Sequence, residues 1–433
     1  METYWSGVGL SGEFYVGPLG DGDQTPAPLT ALNSFSIGTT LGLDIRPQIP
    51  VPASLTRDPH FTGVSLHTWP LIEFVRDLVV SGDRAYLAAG CGGLQVIDLQ
   101  NPSGPQLAGY AFTPYGQARV VAVQDTLAAV IVDHPSSHPT GDELMIFSLA
   151  QPDQPQLLGG VPLPGTPARV VLSGNLALVT VGPAGLAIVD LQERSSPSLL
   201  TTFPTGGNAV GLAALPNLAW VAAGSEGLQI LDLTQPAQPV RIGQWHGTEA
   251  AVEVAYRAPF AAVATVGTSG TFLEMVDLSN PSQPQSGSVL PLSTGHPTLL
   301  WDHDHLYIAH KYQGIGVIDV LDPTHPRQVG GTTTYYGGGA LGMARHQDRL
   351  WVADFIAISA FQVGPRLRFQ PNQTLELLAT PGLPYLIQQQ ASWANPTWTP
   401  WLEITPTNTI QSLTVPPTPE PAGTYFLRAI PAP

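Results

Sequence analysis

Between residues 75 and 363 one pattern returns seven times. Its clearest copies are Gly93-Leu94-Gln95-Val96-Ile97-Asp98-Leu99, Gly185-Leu186-Ala187-Ile188-Val189-Asp190-Leu191 and Gly227-Leu228-Gln229-Ile230-Leu231-Asp232-Leu233. The aspartate position of the motif falls at Asp98, Ser148, Asp190, Asp232, Asp277, Asp319 and Ala360, so the spacings are 50, 42, 42, 45, 42 and 41. Each unit resolves into short apolar runs separated by turns. In the third unit these are Ala168–Leu172, Leu176–Val181, Leu186–Leu191 and Leu199–Phe203, with Ser173-Gly174-Asn175 as a hairpin turn. One small sheet cannot bury both of its faces alone, whereas units stacked around an axis can. The pattern therefore predicts an all-β chain whose main body is a seven-bladed β-propeller of four-stranded blades. The composition agrees: 45 Gly and 44 Pro punctuate strongly apolar stretches.

The recurring aspartate invites a catalytic or metal-binding interpretation. Its setting argues for a framework role. Asp98 precedes Asn101-Pro102, Asp232 precedes Gln235-Pro236, Asp277 precedes Asn280-Pro281 and Asp319 precedes Asp322-Pro323. An aspartate before such a turn accepts hydrogen bonds from the turn's own amides. A role repeated in five units is architectural.

The full motif adds a following Asn-Pro-x-x-Pro, as in Ser279-Asn280-Pro281-Ser282-Gln283-Pro284. Ahead of it stand a Ser-Gly-Asp/Asn turn and a second run carrying Tyr86, Trp220, Tyr307 or Trp351. Over residues 60–363 this resembles the LVIVD repeat family. The resemblance implies a propeller and an exported or cell-surface setting; it carries no catalytic residue across.

The seventh unit stops after its third run, near Phe361-Gln362-Val363. A ring left open there would expose two sheet edges. Phe61–Leu66 resembles the fourth runs of other units and is expected to supply the outer strand of the last blade. The expected division is a Gly/Pro-rich arm and linker (1–58), the propeller (59–365) and a small C-terminal β-sandwich (366–433). The last has strand-like runs at Leu375–Leu378, Tyr385–Gln388, Trp401–Ile404 and Tyr425–Arg428. Its Trp393, Trp398 and Trp401 serve either as core or as a sugar-stacking platform. Gly20-Asp21-Gly22-Asp23 has the oxygen-rich chemistry of a calcium loop but lacks the spaced ligands that would follow, so a plain turn is expected and no cofactor is assigned.

Net charge is −16 and no basic stripe exists, which excludes a nucleic-acid partner. No stretch is long and apolar enough to span a membrane as a helix. Cys91, the one cysteine, allows neither an intramolecular disulfide nor a cysteine-based zinc site. The start Met1-Glu2-Thr3-Tyr4-Trp5 has neither the basic residues nor the apolar stretch of a signal peptide, so the protein is cytoplasmic or a leader has been removed.

Residues with chemistry are sparse. The second unit carries the largest insertion, Asp133–Glu143, with His134, His138, Asp142 and Glu143. In a propeller such a loop between second and third strands shares a face with the loops between blades. Glu249, His296, Tyr335 and Tyr336 lie in those inter-blade loops, and Lys311 and Tyr312 in another second-to-third loop. Function concentrates on loops over a rigid scaffold, so this rim is the candidate binding face. His134, His138 and Asp142 are a conceivable metal set, weighed against an ordinary solvated loop. Asp302-His303-Asp304-His305 aligns with the hairpin turn Ser81-Gly82-Asp83-Arg84, where side chains splay rather than converge. No catalytic motif is present. The expected function is a non-enzymatic exported or cell-surface interaction protein that binds protein or glycan. The alternatives are an extracellular polymer subunit that self-associates through its N-terminal arm, and a propeller hydrolase or lyase.

Overall fold

The computed structural model describes residues 61–100, 105–114, 116–135, 141–292, 295–310, 314–332, 340–346, 349–363, 366–369, 375–379, 384–390, 399–407, 410–413 and 426–431. The expectations placed on the N-terminal arm fall outside them. Every regular element described is a β-strand.

Blade 3 shows the plan. Arg169–Ser173, Leu176–Thr180, Leu186–Asp190 and Ser198–Phe203 pair antiparallel in chain order. Side chains alternate, and both faces are covered. Leu178 and Ile188 pack toward blade 4 with Leu212 and Val221, while Val179 and Val189 pack toward blade 2 with Ile131 and Ile146. The fourth strand, on the outside, leaves Leu199 and Leu200 each 40% exposed. Blades 1, 2, 4, 5 and 6 repeat this strand order. The second-strand aromatics Tyr86, Trp220, Tyr307 and Trp351 are all buried, as framework residues should be.

Blade 7 closes the ring with strands from both ends of the propeller. Arg349–Val363 pairs through its first part with Ala340–His346 and through its second part with Phe61–Val75 (Phe61 opposite Val363, His67 opposite Ala360). Trp351 and Ala353 share one cluster with Ile358 and Ala360, whereas Leu350 and Val352 share another with Phe361 and Val363. A straight strand keeps odd-numbered residues on one face. The switch of parity means that the chain reverses between Asp354 and Ala357, so this run supplies the second and third strands. Seven apolar clusters then join the seven neighbouring pairs of blades, including blade 1 with blade 7 through Leu87, Leu99 and Trp351.

The motif residues act as their spacing implies. The amide two residues on donates to Asp98, Asp190, Asp232 and Asp277 at 2.8 Å and to Asp319 at 3.0 Å. In blade 2, Ser148 Oγ accepts the same bond from Ala150 at 3.3 Å. The motif glycine is required sterically. Gly185 has φ +101°, and a Cβ there would lie 2.1 Å from the Phe203 carbonyl oxygen.

C-terminal to the propeller are two three-stranded sheets. One orders Arg366–Phe369, Leu375–Leu378 and Ile410–Leu413; the other orders Thr399–Ile404, Tyr385–Gln390 and Phe426–Pro431. Leu375, Leu377, Tyr385, Ile387 and Leu413 form one buried cluster with Trp401 against it. Trp393 and Trp398 are outside the described residues.

Candidate functional site

Two places on the propeller depart from the common plan. The first is the upper end of blade 2, where the second strand Leu127–Asp133 and third strand Glu143–Ser148 flank the insertion. Here the structure brings His134, Asp142 and Glu143 together. The His134 amide donates to Asp142 at 3.1 Å, and its Nε2 lies 3.6 Å from Glu143 Oε2. The expectation of a solvated loop needs correcting at His134, whose side chain is only 2% exposed. Next to it, Asp133 pairs with Arg119 at 2.9 Å. Burial pushes the Asp133 carboxyl up, against the pull of Arg119. A cavity of about 330 Å3 opens on this group. His134 and Glu143 mark its polar end; Pro114, Met145 and the outer-strand segment Leu157–Gly160 make the rest. His138 lies outside the described residues, and among the described residues no group of three or more His, Cys, Asp or Glu side chains is placed to hold a metal ion.

The other rim residues are not part of this group as described. Glu249 accepts the Ser269 amide at 2.9 Å and the Ser269 hydroxyl, bonds that hold its carboxyl below the usual range. His296 is exposed in the link to blade 6. Lys311, Tyr312, Tyr335 and Tyr336 lie outside the described residues. The Asp302–His305 turn splays: Asp302 meets Arg345 of blade 7 at 3.1 Å, while Asp304 faces Arg257 of blade 5 at 3.9 Å.

The second departure lies on the axis. Equivalent positions at the start of the innermost strands hold Asp77, Arg119, Arg169, Gly211, Glu253, Thr298 and Gly342. Arg169 reaches Glu253 Oε2 at 2.6 Å and Thr298 Oγ1 at 3.0 Å, and Thr298 donates to the Leu341 carbonyl at 2.8 Å. The bonds cross the axis and join blades 3, 5, 6 and 7. Asp77 accepts the amides of Leu78 at 2.9 Å and Val121 at 3.1 Å, which ties blade 1 to blade 2. Burial pushes its carboxyl up to about 6, although Arg169 and those two amides favour the charged form. Glu253 in turn draws the Arg169 guanidinium further toward its charged state.

Sequence reasoning missed this axial set. A signal was available: a charged residue stands at the head of the first apolar run in four units, as Asp77-Leu78-Val79, Arg119-Val120-Val121, Arg169-Val170-Val171 and Glu253-Val254. That these residues meet follows only once the ring is closed, because Arg169 and Glu253 are 84 positions apart.

The LVIVD repeat family matches residues 74–113, 164–205, 206–246 and 303–334, which are blades 1, 3 and 4 and most of blade 6. No curated protein matches the chain. Among solved structures, a chain of a mitotic checkpoint complex is 11% identical over 77% of this chain and 99% of its own, with a TM-score of 0.56. A functionally unknown protein from Desulfotomaculum acetoxidans is 14% identical over 60% of this chain and 84% of its own, with a TM-score of 0.51. At these identities the likeness concerns the fold alone.

Proposed function

We propose, from the premise that this chain is an LVIVD-repeat β-propeller, that it is a non-enzymatic interaction protein whose binding face is the loop-bearing rim centred on blade 2. One observation carries the reading. The rim of blade 2 combines the longest insertion in the repeat array with a partly enclosed cavity and a His134–Glu143 pair. Several charged groups elsewhere among the described residues are committed to the framework: the motif aspartates to turns, Glu249 to Ser269, and Arg169 to Glu253. A rigid ring with an irregular, chemically open place on its rim suits recognition. The partner class is protein or glycan, and the setting proposed is extracellular or cell-surface, in keeping with the repeat family.

The test is affinity capture with the full chain beside a variant in which residues 134–142 are replaced by the Gly182-Pro183-Ala184-Gly185 turn. A partner held by the full chain and lost from the variant is expected. Equal retention by both contradicts the assignment to this face. Protease digestion of intact producing cells tests the setting: loss of the protein is expected, and full protection contradicts surface display.

A hydrolase or lyase at the axis is the second reading, favoured by the raised carboxyl of Asp77 beside Arg169. It predicts turnover of some ester or glycoside that Asp77→Asn abolishes. Activity unaffected by that change rules it out.

A further inference from the structure

Gly160 is a glycine that its surroundings do not demand. A Cβ there would meet Glu143 Oε2 and the Leu144 carbonyl at 3.6 Å and Met145 Cγ at 3.7 Å, which is ordinary contact. Gly159 differs, since a Cβ there would lie 2.6 Å from the Ser195 carbonyl oxygen. In the pairing register Gly160 stands opposite Met145. The same place holds Tyr110 opposite Gln95, Thr202 opposite Ala187, Gln244 opposite Gln229 and Val289 opposite Glu274. Blade 6 has Gly331, but there a Cβ would lie 2.9 Å from the Ile315 carbonyl oxygen, so the backbone forbids a side chain. Four blades therefore fill with a side chain the place that blade 2 leaves open without steric need.

The cavity of about 330 Å3 occupies that opening. Its size is at the small end of the roughly 300–1,000 Å3 typical of ligand pockets, which suits something as large as a side chain. Its wall is apolar, from Pro114, Met145 and Leu158. At one end stands the Glu143 carboxylate, with its side chain 17% exposed. His134 Nε2 lies 3.6 Å from it, longer than a hydrogen bond, and none of the arginine ion pairs among the described residues uses Glu143. A partly desolvated carboxylate at the end of an apolar slot is complementary to a cation on an aliphatic stem. The net charge of −16 adds attraction at long range.

We propose that this cavity binds a primary alkylammonium group, with its methylenes against Met145, Leu158 and Pro114 and its nitrogen at Glu143. The group comes from a lysine side chain of a partner or from a free alkylamine. This deepens the rim assignment and rests on it.

Titration calorimetry on the full chain tests it, with Nα-acetyl-lysine methylamide, its norleucine counterpart and a peptide holding one internal lysine as probes. The lysine amide is expected to bind saturably, and the norleucine compound about tenfold more weakly or worse. Glu143→Gln is expected to weaken the lysine amide by about tenfold, and Gly160→Leu, which fills the slot, to abolish binding. Gly160→Ala, which the contact distances permit, keeps affinity within about threefold and confirms that the site still folds. A peptide that binds more tightly than the amide identifies a protein lysine as the source, and equal binding identifies a free amine. No saturable binding by any probe, or binding unchanged in Glu143→Gln, overturns the proposal. If partner capture still depends on residues 134–142 in that case, the rim assignment stands and only the alkylammonium site falls.

Discussion

Blades 3 and 2 are neighbours with the same strand order and a shared core, yet they do different work. Blade 3 is spent entirely on the ring. Its aspartate caps the following turn at 2.8 Å, its second-to-third turn is short, and its axial arginine braces blades across the centre. Blade 2 keeps the core but relaxes the rest. Ser148 replaces the aspartate with a bond of 3.3 Å, the upper loop lengthens, Arg119 pairs with Asp133 of its own blade and reaches no further than the Pro167 carbonyl at the entry to blade 3, and Gly160 opens a cavity. The contrast shows what a repeat array permits. Where the apolar core of each blade packs only against its neighbours, the inward apolar pattern is fixed by packing, while loops and outer strands remain open to change.

The largest difference is expected on the axis. Arg169→Met leaves Glu253, only 7% exposed, without its cation, and should cost about 3–5 kcal/mol in urea unfolding. Arg119→Met breaks a pair whose side chains are 29% and 33% exposed and a bond to the neighbouring Pro167 carbonyl, and should cost about 1–2 kcal/mol. Equal costs would break the distinction between a cross-ring brace and a local pair.

The core should make the blades alike. Ile188→Ala and Ile146→Ala both empty fully buried sites, and each is expected to cost about 2–5 kcal/mol. A blade 2 value below about 1 kcal/mol would mean that its relaxation reaches the framework.

Asp77 is where both blades meet the axis, through the Val121 amide of blade 2 and the charge of Arg169. The native carboxyl keeps its proton up to about pH 6, whereas the unfolded chain releases it near pH 4. Between those values the native state binds more protons, so its stability falls as pH rises. The loss should reach roughly 2–3 kcal/mol by neutral pH. Asp77→Asn should remove this slope from a pH series of unfolding curves. An unchanged slope would show that the carboxyl titrates normally.

The smallest effect concerns the turns. Asp190→Ala should cost about 1 kcal/mol, and Ser148→Ala measurably less, because the bond it removes is longer and its acceptor uncharged. The reverse order, read from thermal midpoints, would undo the view that blade 2 has the looser turn.

Much of this organisation was legible in the chain. The unbroken apolar runs of Leu176–Thr180 and Leu186–Asp190 follow from burial on both faces, which leaves a direct trace in sequence. The turn role of Asp190 was legible because donor and acceptor are two residues apart. The same local logic disposed of the Asp302–His305 turn. What escaped were contacts made across the ring. Nothing near Arg169 in the chain announces Glu253 or Thr298, and Gly160 looks like any other turn-former until its register against Met145 is known. Of the rim, His134, Asp142 and Glu143 could be placed together because they bracket one loop.

The division of labour between these two blades is tested most directly by a hydrogen-exchange footprint of the full chain with and without its captured partner. Added protection is expected at residues 114–116, 134–143 and 156–160, with blade 3 strands Leu176–Thr180 and Leu186–Asp190 unchanged. Protection that instead appears only on the C-terminal sheets, or evenly around all seven blades, would contradict it.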